Sequence, residues 1–576
     1  MSTPAPPAWL ARLPRFARGD RATQRPAHIE HGVEDRPGAA QTAALAAQQI
    51  GIQSIYLILP GLVGAQFGLL PLEVLNFVGL SVAAIAIAGL LQALPRGPIG
   101  SGYPIASIPT PVFVAVYLAA TPGASLAAVG AAALLTGLIG VVLAGTLRRL
   151  QKVVPTEVAG VVVLLIGVSL LPRAFGAMGT TGEQSALAAV TLVVMMGVAL
   201  KGGPLARFAV LVGAAAGTLT ALAYGLGLAD ASVLDAAPWF AVPRPMLPAF
   251  GGFDAAVLLP PFIVALLACF ASWTGDLVAF QRAADGGWRR PDTPPIRRGL
   301  LAHSLALGLA GLAGAMPPGS SSACVGLTIS TRILARRVAL WGSGALLVLA
   351  CCPKLLAVAL AIPDPVKAAM LLYVCCFMIA AGCQLMGSRM LDTRRTFTVG
   401  LGIAIGLATL LEVPVMQRML PPMLMAPVTA GALAAILLNL LTAPLVAQRA
   451  SFAMTPGANQ ALMDEVEALG GAWGARRETM AHIGHALLEL SELLAERGVA
   501  EARVQAHYAT DRILVTAAWA GAALPRPAAR PSAEDLEGPA AAQEAFALWL
   551  ATRQAETVDQ RPLPDGGQEL RLTFAD

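Results

Sequence analysis

The sequence predicts an all-α, polytopic membrane protein of fourteen spans in two groups of seven, the second inverted, followed by a small α+β soluble domain. Three observations predict it. Of 576 residues, 56% are hydrophobic and 13% charged, with a mean hydropathy of +0.69, whereas a soluble chain carries about a quarter charged residues. Apolar runs of spanning length follow one another from residue 42 to 447. Two of these runs, the third and the tenth, are short and opened by Gly, Ser and Pro.

Residues 1–40, rich in Pro, Ala and Arg, read as a disordered cytoplasmic arm. No apolar core with a cleavage site adjoins it, so no signal peptide is expected. Spans are placed near 42–63, 74–94, 104–120, 124–145, 156–174, 185–201, 206–228, 255–280, 297–316, 320–334, 338–362, 366–388, 396–412 and 424–447. With an internal N-terminus, the inside connections hold Arg96, Arg148, Arg149, Lys152, Lys201, Arg282, Arg289, Arg290, Arg297, Arg298, Arg336, Arg337, Arg389, Arg394, Arg395 and Arg449. The outside connections hold Glu73, Glu183, Asp230, Asp235 and Glu412. This alternation predicts an even number of spans in the inner membrane, with both termini cytoplasmic. The net charge of +5 therefore belongs to topology and not to nucleic acid. The seven cysteines (269, 324, 351, 352, 375, 376, 383) show no metal spacing and read as small hydrophobes.

The interrupted runs are where function is expected. Gly314 to Arg337 contains Pro317, Pro318, Gly319 and Ser320–Ser322, which cannot continue a helix. Unpaired backbone groups cost several kcal/mol each in hydrocarbon, so a broken span survives only inside protein or beside a watery cavity. A half-helix from Ser322 would aim its free N–H groups and dipole at that cavity. Gly97 to Pro111 repeats the pattern, ahead of an apolar half-span from Val112 to Ala120. Each short span is third in its group of seven, and an odd count per group inverts the second. The bland alternative is two kinked structural helices without a ligand.

From about residue 456 charges return, and the chain reads as a cytoplasmic α+β domain, 456–576, with a regulatory role open to it. A helix is expected over 463–497, strands over 503–509, 512–518 and 569–574, and a helix over 540–553. The transporter domain then covers 41–450.

Gly326, Thr331, Arg336–Arg337, Pro353–Lys354 and Ile362-Pro363-Asp364-Pro365-Val366 resemble the motif run of the nucleobase–cation symporters, the xanthine/uracil permeases or nucleobase–ascorbate transporters. Gly275–Asp276 and Gly100-Ser101-Gly102-Tyr103 are similar to that family's span-eight and span-three motifs, and the spacing agrees from about 42 to 447. The resemblance implies fourteen spans in a seven-plus-seven inverted repeat, core and gate domains that move against each other, and a solute site at their midplane. Where the family has a Glu this chain has Ser272; where it has Gln or Glu it has Ala323; its Asn is Cys324, and its Gly-Gly is replaced within Lys367-Ala368-Ala369. Sites discriminate through such polar partners, so these changes bear on which solute is carried. His485 to Gly498 also resembles, faintly, the helix of histidine-kinase-type ATPase folds, but the metal-binding Asn expected four residues after Glu489 is Leu493.

Asp276 is the acid placed well inside a span, where a charge costs roughly 3 kcal/mol or more; such acids mark ion or proton paths. The alternative is a hydrated acid near the cytoplasmic end paired with Arg282. Ser272, one turn earlier, shares its face or bonds back to its own helix. Ser322 contacts solute or merely caps its half-helix. Family position adds Ala323 and Cys324 to the solute-binding set. Tyr103 stacks on a flat ring or anchors at the interface. Gln49, beside Gln48 in the first span, contacts solute or a neighbouring helix. Gly100, Gly275, Gly326, Thr331, Arg336, Pro353, Lys354 and Pro363 read as structure. His303 reads as a satisfied core histidine, and His482 with His485 as a solvated face rather than a metal site. No cofactor, metal or nucleic acid is expected, and no enzyme, because no nucleophile–base pair appears in the spans. The expected function is import of a nucleobase-like solute such as xanthine or uracil, with H+ or Na+, by a homodimer. The alternatives are a carboxylate or oxyanion carrier on the same fold and a sensor signalling through 456–576.

Overall fold

The computed structural model describes residues 25–120, 123–146, 155–202, 208–228, 231–251, 253–286, 291–421, 424–442, 448–509, 512–525, 539–564 and 566–575. Residues 1–24 of the expected arm and the connection residues Arg148, Arg149, Lys152, Asp230, Arg289 and Arg290 lie outside them. Two compact units form: Met1–Leu150, Ala159–Cys383 and Gly402–Leu433 in one, Gln151–Val158, Gln384–Leu401 and Ala434–Asp576 in the other.

Helices dominate the described residues up to Thr442. In order they are α1 (Ala39–Ile55), α2 (Ile58–Gln66), α3 (Pro71–Gln92), then strand β1 (Ser107–Pro109), α4 (Pro111–Ala120), α5 (Leu126–Ala144), α6 (Thr156–Gly176), α7 (Gly182–Lys201), α8 (Ala209–Ala223) and the short α9 (Ala231–Ala236). Next come α10 (Ala255–Ala284), α11 (Thr293–Ala313), strand β2 (Pro318–Ser320), α12 (Ser322–Ser330), α13 (Arg336–Ala350), α14 (Pro353–Leu360), α15 (Asp364–Gly387), α16 (Thr393–Leu410), α17 (Pro414–Met419) and α18 (Pro427–Thr442). Among the described residues, seven helical stretches are long and apolar enough to cross a membrane. Three more, Pro111–Ala120, Ala209–Ala223 and Pro427–Thr442, are apolar but shorter. Local chemistry sets the ends. Asp254 caps α10 by accepting from Ala256 N at 2.9 Å, and Ser125 caps α5 by accepting from Ala128 N at 3.2 Å. Gly314, at φ +71°, closes α11 where a Cβ would lie 2.2 Å from the Met246 carbonyl oxygen.

Small residues decide how the helices meet. A Cβ on Gly137 of α5 would lie 2.4 Å from Gly308 of α11, and one on Gly311 would lie 2.3 Å from Leu134 N. Without a hydrophobic drive between helices in lipid, such backbone approach supplies the packing. Gly167 and Gly382 seat α6 against α15, while Gly406 and Gly431 seat α16 and α18 against Leu165 of α6.

Residues 25–38 differ from the expected arm. Glu30 N and His31 N donate to Arg332 O, Leu334 N donates to His31 O at 2.8 Å, and Arg336 N donates to Val33 O at 3.0 Å. The Arg336 guanidinium lies 3.6 Å from Glu34. Pro, Ala and Arg content suggested disorder, but the partner of this segment is a turn 300 residues away, which composition cannot reveal.

The second unit carries a five-stranded antiparallel sheet, in order β3 (Arg449–Met454), β4 (Ala502–Ala509), β5 (Arg512–Ala520), β7 (Gly567–Ala575) and β6 (Thr557–Pro562). One face alternates inward, with Val504, Ala506, Ile513, Val515, Leu570, Leu572 and Phe574 buried. Helices α19 (Asn459–Trp473), α20 (Arg477–Glu496) and α21 (Ala540–Thr552) contribute Val466, Met480, Leu487, Leu490 and Leu548 to the same core. The single helix expected over 463–497 is broken at Gly474, φ +60°, a left-handed position favouring glycine. The sheet starts at Arg449, ahead of the expected boundary at 456, because β3 is a short edge strand with alternating exposure and no apolar run.

Candidate functional site

The two broken spans cross. β1 pairs antiparallel with β2, setting Ser107 opposite Ser320, Ile108 opposite Gly319 and Pro109 opposite Pro318. The prolines withhold ladder donors, so the pairing stays three residues long. Flanking bonds from Thr110 N to Pro317 O and from Ser321 N to Ala106 O, each 3.1 Å, complete it. Two half-helices leave the crossing: α4, with Pro111 as its first residue, and α12, capped by Ser321, whose Oγ accepts from Cys324 N at 3.3 Å. The crossing thereby satisfies backbone groups that an interrupted span would strand in hydrocarbon.

α10 supplies the acid. Asp276 is 6% exposed; its Oδ1 accepts from Ser322 Oγ at 2.6 Å and its Oδ2 accepts from Ser320 Oγ. It is thus buried and held by the crossing, not hydrated at a helix end. Each hydrogen bond to a charged group is worth about 1.5–3 kcal/mol. Ser272, one turn earlier on α10, is half-buried. Ser322, Gly275 and Gly326 are exposed, and a Cβ on either glycine would meet nothing within 4 Å, so this flank faces open space.

The remaining expected residues divide. Cys324 is fully buried, packed with Ile52, Ala106 and Leu327. Ala323 sits in the first turn of α12, its side chain outside what is described. Tyr103 packs against Phe280, ring centroids 5.1 Å apart. Gln49 is buried against Gly342 of α13. The structural set has local roles. A Cβ on Gly100, φ +90°, would lie 2.3 Å from Leu91 O. Thr331 Oγ1 donates to Thr328 O at 2.8 Å, and Arg336 Nε donates to Gly102 O at 3.0 Å. Lys354 Nζ donates to Leu234 O; Pro353 opens α14; and Pro363 O accepts from Val366 N at 3.0 Å ahead of α15.

Sequence reasoning missed two features. Gln53, 2% exposed on α1, donates from Nε2 to Ser107 O at 2.7 Å. Its signal was present: Gln49 and Gln53 are one helical turn apart in an apolar run. His303 is not fully satisfied. It stacks on Trp273 at 4.6 Å, and its Nδ1 meets Gln92, but its buried Nε2 has no partner among the described residues. Gln92 in turn accepts from Ser101 Oγ at 2.9 Å, tying α3 to the loop before β1. Among the described residues no group of three His, Cys, Asp or Glu could hold a metal ion. His485 has Glu489 at 3.8 Å.

Residues 40–415 match the profile of the Xan_ur_permease family, a permease family, and the chain belongs to it. It is therefore a multi-pass membrane transporter and not an enzyme. It is 27% identical over 369 residues to the uric acid permease PucK of Bacillus subtilis (strain 168), covering 62% of this chain and 84% of that one. It is 25% identical over 445 residues to the xanthine permease XanP of Escherichia coli (strain K12), covering 72% and 94%. Among solved structures it is similar to the transmembrane domain of the cyanobacterial bicarbonate transporter BicA, with TM-score 0.44 and 16% identity, covering 72% of this chain and all of that one.

Proposed function

We propose that this protein is a secondary active permease for a nucleobase-like solute such as xanthine or uracil, coupled to protons through Asp276. The observation that carries the reading is the buried Asp276 carboxylate, bound on both oxygens by serines of the second broken span. A solute displacing those hydroxyls would change the acid's surroundings, which links binding to protonation. Family membership and relatives that are a xanthine permease and a uric acid permease support the solute class. Fourteen spans in an inverted seven-plus-seven repeat, both termini in the cytoplasm of a bacterial-type cell, and a homodimer belong to the same proposal. One helix bundle would rock against the other around the crossing. Ser272, Ser322, Ala323 and Cys324 would line the solute, with Tyr103 and Gln49 supporting at a distance.

The test is uptake of labelled xanthine, urate and uracil into proteoliposomes at two external pH values. Accumulation that rises at the lower pH is expected; no accumulation of any of the three overturns the solute class. An oxyanion carrier on the same fold is less favoured. A helix N-terminus attracts anions, but the approach to α12 is already occupied by the Asp276 carboxylate.

A further inference from the structure

The chain has Ser272 where the family carries Glu and Ala323 where it carries Gln or Glu, yet among the described residues the crossing holds two other polar atoms without partners. Among the described residues, Gln53 Oε1 and Ser107 Oγ are both buried and unpaired, on side chains 2% and 0% exposed. Buried polar atoms in native proteins are almost always hydrogen-bonded, and each exception calls for a reason. The orientation of the Gln53 amide is settled chemically. Its neighbour is the Ser107 carbonyl, which only accepts, so Nε2 faces it at 2.7 Å and Oε1 is left as an acceptor. Ser107 stands directly across the strand pair from Ser320. Opposed residues of an antiparallel pair share a face, so Ser107 Oγ lies on the side from which Ser320 reaches Asp276. Tyr56, directly after the end of α1, packs with Ile52 of α1 against the Cys324–Leu327 cluster, so this end of α1 is committed to the crossing.

We infer that Gln53 Oε1 and Ser107 Oγ form a polar subsite that reads the N–H/C=O edge of a planar heterocyclic solute. Oε1 accepts the ring N–H, and the Ser107 hydroxyl donates to the adjacent carbonyl. This lactam edge is common to oxopurines and oxopyrimidines, and a neutral amide with a hydroxyl reads it without a second carboxylate in the membrane. The inference rests on the proposed nucleobase function and assigns its specificity to residues outside the motif positions.

The experiment compares wild type, Gln53→Met and Ser107→Ala for uptake of xanthine, uracil and their singly N-methylated analogues, with membrane insertion quantified for each. Wild type discriminates against one methylated position, where the N–H is lost. Gln53→Met lowers that discrimination roughly three- to tenfold, the value of one neutral hydrogen bond, by raising KM for the unmethylated solute alone. Ser107→Ala shifts KM for the same solutes and serves if Gln53→Met fails to insert. Discrimination unchanged in an inserted variant overturns the subsite while leaving the nucleobase reading intact. Wild type moving none of the panel overturns both.

Discussion

Replacing Arg395 tests whether a buried ion pair holds the second unit together. Arg395, 9% exposed, contacts the carboxylate of Glu157, 0% exposed, and donates from Nη2 to Trp473 O at 2.7 Å. Nearby, Arg389 Nη1 donates to Gly474 O at 2.9 Å and Met390 N donates to Ala475 O at 3.1 Å. The Trp473–Ala475 turn of the C-terminal sheet domain therefore grips the connection between α15 and α16, and Arg395 joins it to the start of α6. Arg395→Ala leaves Glu157 buried without its counter-ion, which costs about 3–5 kcal/mol. The lost bond to the Trp473 carbonyl accounts for about 1.5–3 kcal/mol taken alone. The two losses share one guanidinium, so the total stays near the upper end of the first range, not their sum. Glu157→Gln with Arg395→Met removes both charges together and should recover most of the loss, since swapping a buried pair for neutral groups is often nearly free. Thermal unfolding in detergent, read by circular dichroism, measures it. The single variant should unfold well below wild type and the double variant close to it. Equal midpoints for wild type and Arg395→Ala, or a double variant no better than the single, refute the reasoning.

Asp276→Asn keeps the shape of the site but not its charge. It should insert normally and still bind solute, while uptake loses its rise at low pH; retained pH dependence removes Asp276 from coupling. Gly319→Val should abolish uptake, because a Cβ there would lie 2.9 Å from Trp273 Nε1 and 3.1 Å from Thr110 Cβ; transport at the wild-type rate counts against a tight crossing. Gly474→Ala combines φ +60° with a Cβ 1.9 Å from Arg395 Cζ, so it should lower the unfolding midpoint at least as far as overpacking does elsewhere, about 1–3 kcal/mol. An unchanged midpoint means the turn adapts.

Much of the site was legible because broken spans announce themselves by composition. Gly97–Pro111 and Gly314–Ser322 stood out as Gly, Ser and Pro among apolar runs, and Asp276 as an acid within one. That Ser320 and Ser322 close on Asp276 was not legible, since the three meet across 44 and 46 residues. Gln49 and Gln53 looked alike in sequence, but α1 turns the first toward Gly342 and the second toward Ser107. Residues 25–38 looked disordered because their bonds go to Arg332, Leu334 and Arg336, invisible to any local window.

By itself the sequence determined the solvent and the local grammar: apolar lengths that suit a bilayer, helix ends at Gly and Pro, and two places where no helix can continue. Those follow from short-range sterics and transfer energy, which each segment carries alone. Only the tertiary structure decided what the interrupted backbone pairs with, which hydroxyls take the Asp276 oxygens and which buried acceptors stay open. These are choices among distant partners, made by the packing of small residues and the need to satisfy every polar group out of water.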